Sequence, residues 1–127
     1  MTGETVVPRI DRLLMETRLR LPHRPAADEL PAYRARGALI VDIRPVEQRT
    51  RDGEIPGAIV IDRNVLEWRL DPTSPHRIPE VTGNDQEIVL ICNEGYQSSL
   101  AAHSLQRLGL KGATDLAGGM QGIKDLC

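Results

Sequence analysis

This sequence predicts a single α/β domain, with a mostly parallel central sheet flanked by helices on both faces. Two observations carry the expectation. Short aliphatic runs alternate with helix-like stretches, the order that βαβ units require. The runs are continuous rather than alternating polar with apolar, so both of their faces are covered, as in parallel sheets.

Residues 1–18 read as an N-terminal extension of helical character. Over residues 9–21, Ile10, Leu13, Leu14, Leu21 and in part Thr17 recur at helical spacing until Pro22 ends the run. Residues 19–21 alternate and fit a short strand equally well. Residues 28–37 form a helix with Asp28 near its start and Gly37 as its stop. Residues 38–43 (ALIVDI) are the first aliphatic strand, and residues 45–52 a charged, exposed helix closed by Gly53. Residues 58–62 (AIVID) are a second strand, followed by a short helix over 64–70 capped by Asn64. Residues 71–85 carry Pro72, Pro75, Pro79 and Gly83 and form a loop. Residues 88–91 (IVLI) are the third aliphatic strand, and residues 98–108 the strongest helical stretch. Residues 113–116 make a short strand before Gly118 and Gly119, and a last helical segment ends the sequence.

At 127 residues and 14.1 kDa, the chain fits one compact domain over residues 1–127. Phe is absent and the aromatics are Tyr33, Trp68 and Tyr96, so the core must be aliphatic. A formal charge of -2 leaves no basic footprint for nucleic acid. No stretch approaches the roughly 20 apolar residues that span a bilayer, and the N-terminus lacks an apolar signal segment. A soluble, reducing, cytoplasmic setting is the simplest reading, with no membrane or nucleic-acid partner. The two cysteines and three histidines have no metal-ligand spacing, so neither a metal nor another cofactor is expected.

The chemistry concentrates at Cys92. The third aliphatic run stops at this cysteine, a loop containing Gly95 follows, and Ser98 or Ser99 opens a helix. Ligands of open α/β sheets sit at the carboxyl ends of strands, where Cys92 lies. Backbone N–H groups converging there, with a helix N-terminus behind them, favour an anion and hence the nucleophilic thiolate. The same cysteine could instead be a buried hydrophobe.

Three segments resemble the single-domain rhodanese-like sulfurtransferase family. Residues 41–48 (VDIRPVEQ) are similar to its D-x-R-x-x-x-E motif, and residues 53–59 (GEIPGAI) to its G-H-I-P-G-A segment. The loop from Cys92 to Ser98 is followed by the family's late Gly-Gly turn at Gly118 and Gly119, all in order from about Leu19 onward. The resemblance implies that Cys92 takes sulfur from a sulfane donor as a persulfide and passes it to a thiophilic acceptor. That acceptor would be a thiol, a cyanide-like molecule or a partner protein. Asn93, Glu94, Gly95, Tyr96, Gln97 and Ser98 would then cradle the substrate with their backbone amides.

Departures from the family pattern shape this expectation. Gln97 stands where many members carry arginine, Glu54 where histidine is common, and Ile123 where tryptophan is expected. Glu94 adds a carboxylate that disfavours the thiolate and a dianionic donor such as thiosulfate. Weak thiosulfate activity and better loading from a persulfide or polysulfide follow.

Arg63, at the end of a neighbouring strand, could supply the missing positive charge or be an exposed arginine beside Asp62. Asp42 and Arg44 read as a structural ion pair supporting the loop, with substrate contact as the alternative. Tyr96 could shape the pocket mouth or merely cover the loop, and Gly95 provides a positive φ. Ser98 and Ser99 are first of all helix caps. His103 reads as a surface or packed residue, and Cys127 as a terminal residue or a sulfur relay. Two other classes compete. A cysteine phosphatase or arsenate reductase needs a C-x5-R loop to grip its oxyanion, and Ser98 occupies the arginine position. A non-catalytic binding or regulatory module would have kept the fold without the chemistry.

Overall fold

The computed structural model describes residues 6–126. Cys127 and its suggested roles lie outside them. Strands β1 (Leu39–Asp42), β2 (Ile59–Val60), β3 (Ile88–Ile91) and β4 (Ala113–Asp115) form one sheet in the order β2-β1-β3-β4, with every pairing parallel. The helices are α1 (Arg9–Leu19), α2 (Leu30–Ala35), α3 (Val46–Asp52), α4 (Leu66–Leu70), α5 (Gln97–Arg107) and α6 (Gly119–Asp125). Single 3₁₀ turns precede α2, at Ala27–Glu29, and α4, at Arg63–Val65.

The aliphatic runs become central strands because side chains on both of their faces are covered. On one face Leu39, Val41, Ile88 and Leu90 pack with Leu66 and Leu70 of α4 and with Ala101, Ala102 and Leu105 of α5. On the other, Ile40, Val89 and Ile91 pack with Leu30 and Tyr33 of α2 and with Met120 of α6. Each side chain buried in this way stabilises the fold by about 1.5–3 kcal/mol. Tyr33 is the aromatic member of an otherwise aliphatic core.

β2 departs from the expectation. It lies at the sheet edge and is reduced to two residues, with Val60 exposed. The expected cap also moves by two residues: the Asp62 carboxylate, not Asn64, accepts the Asn64 backbone N–H at 2.7 Å. No strand forms over residues 19–21, where α1 ends and a turn leads to Pro22. The apolar residues that mark α1 by their spacing stay largely outside the core. Ile10 and Leu13 are exposed, and Thr17 is the buried residue of this helix. Residues 71–85 contain neither helix nor strand, as their prolines predict, though Ile78 and Val81 pack against the core.

β3 runs between β1 and β4, so its carboxyl end faces the segments that leave both neighbours. Cys92 is the next residue.

Candidate active site

Three local features fix the loop after β3. The carbonyls of Cys92 and Asn93 accept the backbone N–H groups of Met120 (2.9 Å) and Gln121 (3.0 Å), at the start of α6. This close approach requires glycine at 119. A Cβ there would lie 2.5 Å from Cys92 O and 2.7 Å from Asn93 C, and its φ is +58°. Gly95 has φ +89°, and a Cβ on it would lie 2.9 Å from Gly118 N. The loop and the Gly-Gly turn therefore touch backbone to backbone.

With the carbonyls turned away, amides turn toward the sulfur. The N–H groups of Gly95 (3.1 Å) and Ser98 (3.4 Å) donate to Cys92 Sγ. Cys92 is 8% exposed, and it opens on a cavity of about 270 Å³. That volume is near the lower limit of small-molecule sites. The loop contributes Cys92, Asn93, Glu94, Tyr96 and Gln97 to the lining, and the chain after β1 contributes Ile43, Pro45 and Gln48 beside Arg44. Glu94, Tyr96 and Gln97 are exposed at the mouth. The Asn93 side chain is held at the rim, its Oδ1 accepting from Gln121 Nε2 at 2.9 Å.

Arg44 is a cation of this lining, and Asp42 neutralises it. Arg44 Nε and Nη2 donate to the two Asp42 oxygens at 3.0 and 2.8 Å, and both side chains are fully shielded from solvent. Arg44 Nη2 also reaches Gly53 O at 2.8 Å. Nη1 is buried without a hydrogen-bond partner among the described residues. Arg63 is not brought to the pocket. Its Nη1 donates to both carboxylate oxygens of Glu67, at 2.9 and 3.0 Å, and it is absent from the lining. Its charge is therefore engaged four residues along its own segment rather than lent to the loop. Glu54 is exposed, 3.6 Å from Arg49 Nε, and Ile123 packs against the core.

Ser98 and Ser99 do not cap α5, which begins at Gln97 with no side-chain cap. Both hydroxyls point inward to the buried carboxylate of Asp115, at 2.7 and 2.8 Å. The Cys92 thiol donates to Ser98 Oγ at 3.2 Å, so sulfur, hydroxyl and carboxylate form a chain. Arg24 completes the carboxylate's shell through Nε to Oδ1 (2.7 Å) and Nη2 to Oδ2 (3.1 Å). Arg18 donates from Nε to Ser99 Oγ (3.1 Å) and from Nη2 to Gly95 O (2.7 Å). Burial, and after it Arg24, pull the Arg18 pKa below its ordinary value, while Asp115, Tyr96 and Cys92 oppose the shift.

Sequence reasoning missed Ile43, Pro45 and Gln48 as lining residues, although their place at the carboxyl end of β1 was a usable signal. It also missed the cluster of Arg18, Arg24, Ser99 and Asp115. Nothing in the sequence announces contacts between residues more than seventy positions apart. No cluster of three or more metal-ligating side chains occurs among the described residues, and no helix among them is long and apolar enough to cross a membrane.

A family model for the rhodanese-like domain matches residues 26–126. A Rhodopseudomonas palustris protein of unknown function, described as a possible tyrosine phosphatase, is 31% identical with a TM-score of 0.81. That match covers 99% of this chain and 96% of the other. Human single-domain sulfurtransferase TSTD1 is 28% identical with a TM-score of 0.68, over 80% of this chain and 95% of its own. A rhodanese homologue from Thermus thermophilus is 27% identical with a TM-score of 0.57, over 79% and 99% of the two chains. No curated protein matches the sequence.

Proposed function

This chain belongs to the rhodanese-like domain family, and from that premise we propose that it is a sulfurtransferase or persulfide carrier acting through Cys92. The observation that carries the reading is the Cys92 sulfur facing a small cavity with two backbone N–H groups aimed at it, at 3.1 and 3.4 Å. Such donors favour the thiolate, and they favour the anionic persulfide that replaces it.

The reaction divides into two displacements at sulfur. The thiolate attacks the outer sulfur of a donor persulfide, the donor's S–S bond breaks, and the donor leaves as a thiolate that takes a proton from water. Cys92 then carries the terminal sulfur as Cys92–S–S⁻. An acceptor thiolate or cyanide attacks that terminal sulfur, and the Cys92 thiolate leaves. No external oxidant or reductant is needed, because the sulfane sulfur moves without a net change of oxidation state.

The lining favours a persulfide over thiosulfate. Its arginine, Arg44, is neutralised by Asp42, and Glu94 stands at the mouth. The phosphatase reading draws support from the Rhodopseudomonas palustris relative. It is opposed here by Ser98 in the position of the gripping arginine. Arg18 and Arg24 approach the loop from its inner side and are engaged with Gly95 O and Asp115. We propose a cytoplasmic setting, with a small-molecule donor and a thiol or protein acceptor.

The test is intact mass after incubating reduced protein with thiosulfate and, separately, with glutathione persulfide. The expected result is a one-sulfur adduct, formed better from the persulfide, lost in Cys92→Ser and removed by cyanide. No adduct from either donor favours a binding module. Aryl-phosphate hydrolysis abolished by Cys92→Ser favours the phosphatase.

A further inference from the structure

We infer that Arg18, on the helix that precedes the matched family region, is the counter-charge of the Cys92 thiolate and serves as a positioning residue for the loop. The inference rests on the sulfur-transfer reading only in taking Cys92 as the nucleophile. The loop has Gln97 where many relatives have arginine, so a cation for the sulfur must come from elsewhere. The cluster beneath the loop provides one. The buried Asp115 and the part-exposed Arg24 form a bidentate pair and cancel. Arg18 joins the same network through Ser99 and Gly95 without a carboxylate of its own in that network. The three ionised groups therefore sum to one positive charge, and together with the Cys92 thiolate the four are neutral.

The hydrogen bonds allow this charge to be used. Arg18 Nη2 holds the carbonyl of Gly95 at 2.7 Å, and the N–H of the same residue points at Sγ from 3.1 Å. In the thiol state Cys92 donates to Ser98 and Ser98 donates to Asp115. When the sulfur ionises, the Ser98 hydroxyl can turn to donate to it, because Asp115 keeps Ser99 and both bonds from Arg24. The other charged groups around the sulfur do not supply the same cation. Arg44, just after β1, is neutralised by Asp42, and Glu94 at the mouth is negative with Arg51 of α3 acting on it. Tyr96 lines both the mouth and a second cavity that it shares with Arg18, and His103 lies further along α5.

The experiment is the pH profile of Cys92 alkylation by iodoacetamide, in a Cys127→Ser background so that one thiol reports. Arg18→Gln should move the midpoint of the profile up by about one pH unit, the low end for a lost opposite charge because Arg18 is part-exposed. At pH values below both midpoints the rate then falls about tenfold. Arg18→Lys keeps the charge and should recover most of the shift. Asp115→Asn removes a negative charge and should move the midpoint down. Simple loosening of the loop would instead move both the Arg18→Gln and Asp115→Asn midpoints in the same direction. An Arg18→Gln profile that superimposes on the parent overturns the inference, as does an Arg18→Lys shift equal to that of Arg18→Gln. If circular dichroism shows Arg18→Gln unfolded, the sign of the Asp115→Asn shift decides. Alkylation needs no sulfur donor, so a failure here is separable from a failure to form the persulfide.

Discussion

Replacing Asp42 with asparagine separates scaffolding from substrate contact at the pocket wall. Asp42 Oδ1 accepts the Arg44 backbone N–H and Nε, each at 3.0 Å, and Oδ2 accepts Nη2 at 2.8 Å. Asparagine keeps the shape, removes the charge and turns an amide N–H toward these donors. The guanidinium stays buried with one amide oxygen and Gly53 O as its remaining acceptors. Breaking one partner of such a pair costs about 3–5 kcal/mol. For a domain of this size that is a fall in Tm of about 10–20 °C. Urea and thermal unfolding followed by circular dichroism read the loss. Sulfur loading is then compared at a temperature where parent and variant are both folded, and it should be unchanged per folded molecule. The double replacement Asp42→Leu with Arg44→Met should lose less than the single one, because no charge is left buried. A single variant within about 1 kcal/mol of the parent refutes the buried-charge argument. A fully folded variant that no longer loads sulfur makes the pair a substrate contact instead.

Gly95→Ala should destabilise the protein by about 1–3 kcal/mol and slow sulfur loading, since φ is +89° and the new Cβ meets Gly118 N. Parent-like unfolding and loading would remove the loop-geometry argument. Glu94→Gln should raise thiosulfate turnover about fivefold, the effect of one charge contributing about 1 kcal/mol across water. Unchanged turnover would mean that this carboxylate does not set donor preference. Arg51, and after it Lys124, hold the Asp52 carboxyl well below its ordinary range, and Arg36 lowers that of Glu87. Below about pH 4 the unfolded chain therefore binds more protons than the folded protein, and stability falls as the pH drops through the lowered folded-state values. Urea midpoints between pH 6 and pH 2 should show this decline, flattened in Asp52→Asn. A decline of equal slope in that variant would assign the acid sensitivity to other groups.

The parts of the fold legible in the sequence are those fixed by burial along a continuous segment. Residues 88–91 read as a doubly covered strand because each side chain had to be apolar, and the run visibly stops at Cys92. The same argument fails at β2, whose edge position leaves Val60 in solvent although the residue types match a buried strand. α1 was legible as a helix but not in its packing, since periodicity reports a face and not what covers it. Asp62 and Asn64 are both good cap residues two positions apart, and only backbone geometry distinguishes them. Ser98 and Ser99 look like caps in the sequence because local hydrogen bonds are all that a sequence displays. Their acceptor, Asp115, arrives from another strand, and its partners Arg18 and Arg24 from the segment before the first strand. Cys92 could thus be found from its neighbours in sequence, whereas its electrostatic setting could not.

Because backbone contacts among residues 92–95 and 116–121 hold the loop, nucleophile placement is separated from recognition. Gly119 and Gly95 fix the sulfur without help from the side chains of Glu94, Tyr96 and Gln97, which are exposed at the mouth. These three positions form an interchangeable module. On the proposed sulfur-transfer reading, a library randomised at them should retune which donor or acceptor is admitted while the Cys92 sulfur stays in place. Asn93, tied to Gln121, sits outside that module and would resist exchange.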